Sequence, residues 1–191
     1  MQEKGLIVAI SGPSGVGKGT VAAAVEAKLD GIRDVAHSIS VTTRAPRGTE
    51  QDGVEYYFRS REEFEDLIAA GEIIEYDEYL GNYYGTPAKP LARMAEEGKI
   101  VLLDITIEGS LALKEYFGDD AVTIFITPPS MEELRRRLEG RNTEAGDVIA
   151  RRLKEAETEI MRAEEFEYIL QNNDVDETSD EILKIINKES R

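Results

Sequence analysis

The chain has no cysteine, no tryptophan and one histidine, His37, in 191 residues. Without cysteine there is no disulfide, thiolate nucleophile, Cys-ligated zinc or iron–sulfur cluster, and one histidine rules out a multi-histidine metal site. A Ser-His-Asp triad could be built only on His37. Long apolar runs are missing too. The stretch Gly5–Ile10 is too short for a signal-peptide core or a membrane span, so a cytoplasmic protein with no membrane partner is expected. Positive charge is scarce: 23 Lys+Arg against 39 Asp+Glu leave a formal net charge of −16. Such a field repels a phosphate backbone, and a nucleic-acid partner is not expected. The arginines are nevertheless concentrated, six of the 14 between Arg135 and Arg152 and two more at Arg44 and Arg47. Concentrated guanidinium groups on an acidic chain suit a small polyanion.

What is present fits one soluble globular domain. A chain of this length buries roughly 70% of the surface its unfolded state exposes, enough to hold a core without disulfides or structural metal. Gly5–Ile10 reads as a fully buried strand, and after a Gly-rich turn Lys18–Leu29 carries good helix formers. Ile100–Asp104 and Ala121–Ile126 are further buried-strand runs, each followed by a helical pattern. Ser130 and Glu133 have capping-box spacing ahead of Met131, Leu134 and Leu138 at helical intervals. Asp147–Tyr168 predicts a long helix, and Thr178 with Glu181 predicts the cap of a last helix carrying Ile182, Ile185 and Ile186. Buried strands alternating with helices imply an α/β fold of three layers with a mostly parallel sheet. From His37 to Asn82 the pattern breaks. Val54–Phe58 is short and aromatic-rich, Phe64, Leu67 and Ile68 mark a brief helix, and Glu72–Leu80 reads as a strand, together a small inserted subdomain. Arg137–Arg152, broken by Gly140 and Gly146, reads as a second insert able to move.

The strongest local signal is Gly12-Pro13-Ser14-Gly15-Val16-Gly17-Lys18-Gly19-Thr20, after a strand and before a helix. The glycines let successive N–H groups turn inward on phosphate oxygens, the helix N-terminus adds positive potential, and Lys18 reaches the β- and γ-phosphates. A hydroxyl that binds Mg²⁺ is expected directly after the lysine, but that place holds Gly19, with Thr20 one position later. The metal is then held mainly by phosphates and water, with Thr20 and Asp104 acting through water; Asp104 also reads as a solvated strand end. No direct protein ligand to the metal is assigned.

The substrate is narrowed by Thr42-Thr43-Arg44-Ala45-Pro46-Arg47, then Glu50, Gly53, Tyr56 and Phe58, and further on by Glu75 and Gly81-Asn82-Tyr83-Tyr84-Gly85-Thr86. Over its whole length the chain resembles the guanylate kinases, P-loop enzymes that move a phosphoryl group from ATP to GMP. The resemblance implies a core of residues 1–37, 91–136 and 153–191, a GMP-binding insert of 38–90, and a lid of 137–152 that closes over both nucleotides. It implies that Arg44, Arg47, Tyr56 and Tyr84 hold the GMP phosphate, which suits guanidinium forks and phenolic donors. Glu75 would accept from guanine N1–H and the N2 amino group, with the Ser40 and Thr86 hydroxyls facing O6 or N7 and Asp104 at the same site. The family usually carries a second aspartate two residues after Asp104, where this chain has Thr106, either a base contact without charge or a plain strand residue.

Arg137, Arg141 and Arg152 fall at the family's lid arginines and, with Lys18, Arg44 and Mg²⁺, would neutralise the moving phosphoryl group. Arg135 and Arg136 point elsewhere on the helix and read as solvated. Asn172 aligns with a position near the ATP base and reads equally as a turn residue. Other departures are Arg59 after the final aromatic and Asn142 after Arg141. ATP, GMP and Mg²⁺ are the implied ligands; use of dGMP and the oligomeric state stay open. Two other readings stand beside this one: a non-catalytic scaffold binding phosphorylated peptide, and a kinase for another nucleoside monophosphate.

Overall fold

The computed structural model describes residues 4–140 and 146–190. In chain order the elements are β1 (Leu6–Ser11), α1 (Lys18–Leu29), β2 (Val35–His37), β3 (Val41–Thr42), β4 (Tyr57–Phe58), α2 (Arg61–Ala69), β5 (Ile73–Tyr79), β6 (Asn82–Pro87) and α3 (Ala88–Glu96). There follow β7 (Ile100–Asp104), α4 (Ile107–Phe117), β8 (Ala121–Thr127), α5 (Met131–Glu139), α6 (Gly146–Met161), β9 (Tyr168–Gln171) and α7 (Val175–Glu189).

Five strands form a parallel sheet in the order β2-β7-β1-β8-β9. Alternate residues of β1 face opposite sides, and both sides are covered. Leu6, Val8 and Ile10 pack with Val21, Val25 and Leu29 of α1 and with Ile182, Ile185 and Ile186 of α7. On the other face Ile7 and Ala9 pack with Leu91 of α3 and Leu113 of α4. A strand buried on both faces needs apolar residues at every position, which is why Leu-Ile-Val-Ala-Ile shows no alternation. Between β2 and α3 the chain makes a second sheet, β4-β3-β6-β5, of mixed direction. Phe64 of α2 fills its small core with Val41 and Ile73.

Three sequence expectations change. The helix predicted over Asp147–Tyr168 ends at Met161; Arg162 ion-pairs with Glu165 and Glu108 across a tight turn, and Tyr168–Gln171 becomes the edge strand β9. The last helix is capped by Asp174, whose carboxylate accepts from the backbone of Asp176 and Glu177, and Thr178 lies inside it. At Ser130 only half of the capping box forms, because the Glu133 side chain is taken by Arg136 and Arg137, which hold its carboxyl down at about 2. The complete box is at Ser60 and Glu63. In the aromatic-rich stretch Val54–Phe58, Tyr57–Phe58 forms β4, while Gly53 and Val54 donate within the preceding loop and the Asp52 carboxylate accepts from the Phe58 N–H.

Candidate active site

The parallel strands β7 and β1 end at a cleft of about 980 Å³, and the loop between β1 and α1 forms one wall. Gly12 (φ +144°) comes so close to β8 that a Cβ there would stand 2.3 Å from the Ile126 carbonyl oxygen. Gly12, Ser14, Gly15, Gly17, Lys18, Gly19 and Thr20 all line the cleft. Pro13 and Val16 lie buried beneath it, Val16 donating its N–H to the Pro13 carbonyl across a turn. The Lys18 ammonium is folded onto its own loop, donating to the Gly12 carbonyl at 2.7 Å, and lies 3.9 Å from the Asp104 carboxylate. Burial pushes the Asp104 carboxyl above the usual carboxylate range, against the pull of Lys18.

The opposite wall is made by the second sheet. Between the pairs Ile73–Pro87 and Glu75–Thr86, β5 advances two residues while β6 advances one, a bulge at Ile74. Glu75 is thereby set beside Thr86, whose buried hydroxyl donates to its carboxylate at 2.6 Å. Desolvation raises the Glu75 carboxyl, the Thr86 hydrogen bond opposes this, and Asp77 adds to it. Ser40 lines the same wall. Thr106 is not a strand residue: it caps α4, its hydroxyl oxygen accepting from Gly109 N–H, and it lines the cleft next to Asp104.

Arg44, Tyr56 and Tyr84 form a separate group on the second sheet, outside the residues that line the cleft. The Arg44 guanidinium makes a two-pronged bond to Glu50 at 2.9 Å and 2.9 Å, and Glu50 also accepts from the backbone N–H of Arg47 at 2.7 Å. Each partner favours the other's charged form, so Glu50 is pushed down and Arg44 up. Arg44 also stands over the Tyr56 ring, which meets Tyr84 edge-on. The Arg47 side chain is exposed. Glu50, which sequence reasoning left without a role, fixes Arg44; its place three residues after Arg47 was the available signal.

The arginines are divided. Arg152 reaches the phosphate loop from α6, donating to the Ser14 hydroxyl at 2.8 Å. Arg137 lies outside the cleft, beneath the loop, with its guanidinium on the carbonyls of Val16 and Asn172. Asn172 is almost fully buried there as well. Arg141 lies outside the described residues. Arg135 and Arg136 are exposed, as expected. Sequence reasoning missed five polar lining residues: His37, Ser38, Glu108, Glu159 and Arg162. Burial raises the Glu159 carboxyl, partly offset by Lys18, and the Ser38 hydroxyl is buried without a hydrogen-bond partner. Glu159 follows Arg152 by seven residues on α6, two helical turns, and that spacing was the available signal.

Among the described residues no cluster of three or more His, Cys, Asp or Glu side chains could hold a metal on its own. Asp104 and Thr20 are nonetheless hard oxygen donors on the cleft wall beside Lys18, a donor set that fits a cation bound largely by phosphates and water.

A phosphate loop at the carboxyl ends of a parallel sheet, facing a second sheet with a half-buried carboxylate, defines a P-loop nucleotide-binding enzyme. The family model for guanylate kinase matches residues 4–189. A guanylate kinase of Lactococcus lactis subsp. lactis is 46% identical over 99% of this chain and 90% of its own length. One of Prochlorococcus marinus subsp. pastoris is 47% identical over 94% and 96%. The crystal structure of guanylate kinase from Anaplasma phagocytophilum superposes with a TM-score of 0.68 at 40% identity, covering 99% of this chain and 88% of that one. The chain belongs to the guanylate kinase family, and with it to the ATP-dependent nucleoside monophosphate kinases.

Proposed function

We propose that this cleft transfers the γ-phosphoryl group of ATP to GMP, giving ADP and GDP, with the loop from Gly12 to Thr20 as donor site and the second sheet as acceptor site. The observation that carries the division of roles is the pair of facing walls, Lys18 on one and the Glu75–Thr86 pair on the other. An ionised Glu75 accepts from guanine N1–H and the N2 amino group, whereas adenine presents a lone pair at N1 and is repelled. Ser40 offers its hydroxyl to the base edge, and Thr86, its proton given to Glu75, offers an oxygen lone pair there. Thr106, its oxygen already accepting from Gly109, has its own proton free to donate. Arg44, Arg47, Tyr56 and Tyr84 receive the GMP phosphate, with Glu50 holding the Arg44 fork in its plane.

A GMP phosphate oxygen attacks the γ-phosphorus as the bond to the ADP oxygen breaks, and the dianion needs no base to activate it. Positioning and charge neutralisation supply the rate. Lys18 leaves the Gly12 carbonyl for the β- and γ-phosphates, and Arg152, already at Ser14, stands over the same loop. Asp104 and Thr20 would hold Mg²⁺ through water, and the ion when bound supplies further positive charge to the phosphates. The working units are the core of 1–37, 91–136 and 153–191, the insert of 38–90 and the lid of 137–152, with the insert and the lid beyond Arg137, its anchor on the core, closing to exclude water. A cytoplasmic setting goes with this reading.

A coupled ADP-release assay with ATP, Mg²⁺ and each of GMP, AMP, UMP, CMP and dTMP tests it. Turnover with GMP alone is expected; turnover with AMP, or none, overturns it.

A further inference from the structure

Two residues that align with nucleotide contacts of the family meet on a single backbone atom. The Val16 carbonyl oxygen accepts from Arg137 Nη1 at 3.0 Å and from Asn172 Nδ2 at 2.8 Å. We infer that Arg137 and Asn172 are positioning residues, which hold the Val16–Gly17 peptide so that the Gly17 N–H is turned into the donor-phosphate cradle.

A trans peptide is planar, with its C=O and N–H directed oppositely, and among the described residues no peptide is cis. A Val16 oxygen drawn down to Arg137 and Asn172 therefore sends the Gly17 N–H up, to the side where Gly17 lines the cleft. A carbonyl oxygen has two lone pairs, and both are occupied. Rotation of this peptide would break both bonds and strand the buried Asn172 amide and the half-buried Arg137 guanidinium. The clamp is itself braced. Arg137 donates from Nη2 to the Asn172 carbonyl at 3.1 Å and from Nε to Glu133 at 2.8 Å. The Thr178 hydroxyl lies 3.2 Å from Asn172 Oδ1, and the Asn172 backbone is pinned to Thr127 at the end of β8. Gly17 is the remaining fitted part: at φ +103° a Cβ there would meet Asn172 Nδ2 at 2.8 Å. Neither Arg137 nor Asn172 lines the cleft, and Asn172 is 2% exposed, so the pair acts on the nucleotide through the loop.

The inference rests on the loop being the ATP site, and its test separates the two. ADP and GMP binding are measured by calorimetry on the wild type, Arg137→Lys and Asn172→Leu, and the Gly17 amide shift on ADP addition is followed in ¹⁵N-labelled protein. A lysine cannot span both carbonyls as the guanidinium fork does. Arg137→Lys is expected to weaken ADP about tenfold, the loss of one charge-assisted hydrogen bond, and to leave GMP within about twofold. The Gly17 shift should shrink in both variants, and added guanidinium should restore part of the ADP affinity of Arg137→Ala. Unchanged ADP affinity overturns the inference. So does weakened ADP binding with a Gly17 response of wild-type size, which marks direct nucleotide contact, and so does a parallel fall in GMP affinity, which marks general damage. Should Asn172→Leu fail to fold, the Arg137 variants decide alone. A wild type without turnover on any monophosphate would instead remove the kinase reading and leave the ADP result to stand by itself.

Discussion

Replacing Glu75 with glutamine changes one oxygen for an amino group and keeps the shape of the side chain. In the free protein Oε1 of Glu75 already accepts the Thr86 hydroxyl at 2.6 Å. Guanine brings two donors to this carboxylate, each bond to the charged group being worth about 1.5–3 kcal/mol. Glutamine keeps one acceptor and sets an N–H₂ against the other donor. The loss is about 3 kcal/mol, or about a hundredfold in kcat/KM for GMP. Steady-state rates with GMP varied at saturating ATP measure it, and the KM for ATP should stay within about twofold because Lys18 stands on the other wall. Stability carries an independent mark. Desolvation raises the folded-state pKa of Glu75 above its unfolded value, chiefly by burial. An ionised Glu75 therefore costs the free protein stability above that raised pKa, and the cost disappears as pH falls below the unfolded value. Glu75→Gln should raise Tm at neutral pH and lose that advantage in acid. GMP affinity of the wild type should fall as pH drops through the raised pKa, and the variant should not follow it. A kcat/KM for GMP within twofold of wild type would remove Glu75 from base recognition.

Other perturbations test the donor wall and the guanine edge. Lys18→Ala should lower kcat by about 10²–10³-fold, the scale of removing one preorganised charge donor, with GMP affinity by calorimetry unchanged. At Gly19 an added Cβ has Asp104 Oδ2 at 3.9 Å as its nearest neighbour. Gly19→Ser should thus fit, gain about 0.5 kcal/mol of helix propensity and lower the Mg²⁺ concentration needed for half-maximal rate; a fall in Tm would show that the site is tighter than drawn. Thr106→Asp keeps the cap of α4, since aspartate is as good a cap, and adds a carboxylate at the cleft. Its GMP Kd should drop about tenfold, the value of one charge-assisted bond, and an unchanged Kd would put residue 106 out of reach of the base.

Much of the fold could be read from the chain because local signals agreed. The first helix runs over Lys18–Leu29 as predicted, since the glycines and Lys18 fix where the loop ends, and β7 and β8 fall on uninterrupted apolar runs. The errors came where charged residues keep a helical composition after the helix has stopped. Arg162, Glu164 and Glu165 continue α6 in type, yet Arg162 bonds back to Glu165 in the turn, and the four-residue strand that follows is too short to show a period. For the last helix both Asp174 and Thr178 have a glutamate three residues on, and only tertiary packing selects Asp174. The site was legible wherever one segment supplied it, as in the phosphate loop or the Arg44–Tyr56 stretch. It was not legible where three segments converge. That Arg137 and Asn172 lie beneath Val16 depends on the pairing of β8 with β9, which no spacing records.

The bulge at Ile74 means that the acceptor wall is stored as a count of residues. In an extended strand each step turns the side chain to the other face, so one extra residue is enough to exchange inside for outside. Were the ladder regular with Ile74 kept in it, Ile74 would stand opposite Thr86 and Glu75 opposite Gly85, its carboxylate turned away from Thr86 and the cleft although every residue is still present. A relative whose strands pair here without the bulge, at the same length, would keep Glu75 and Thr86 in its sequence and set them on opposite faces. Any graft of this hairpin onto another kinase has to carry the irregularity along with the side chains.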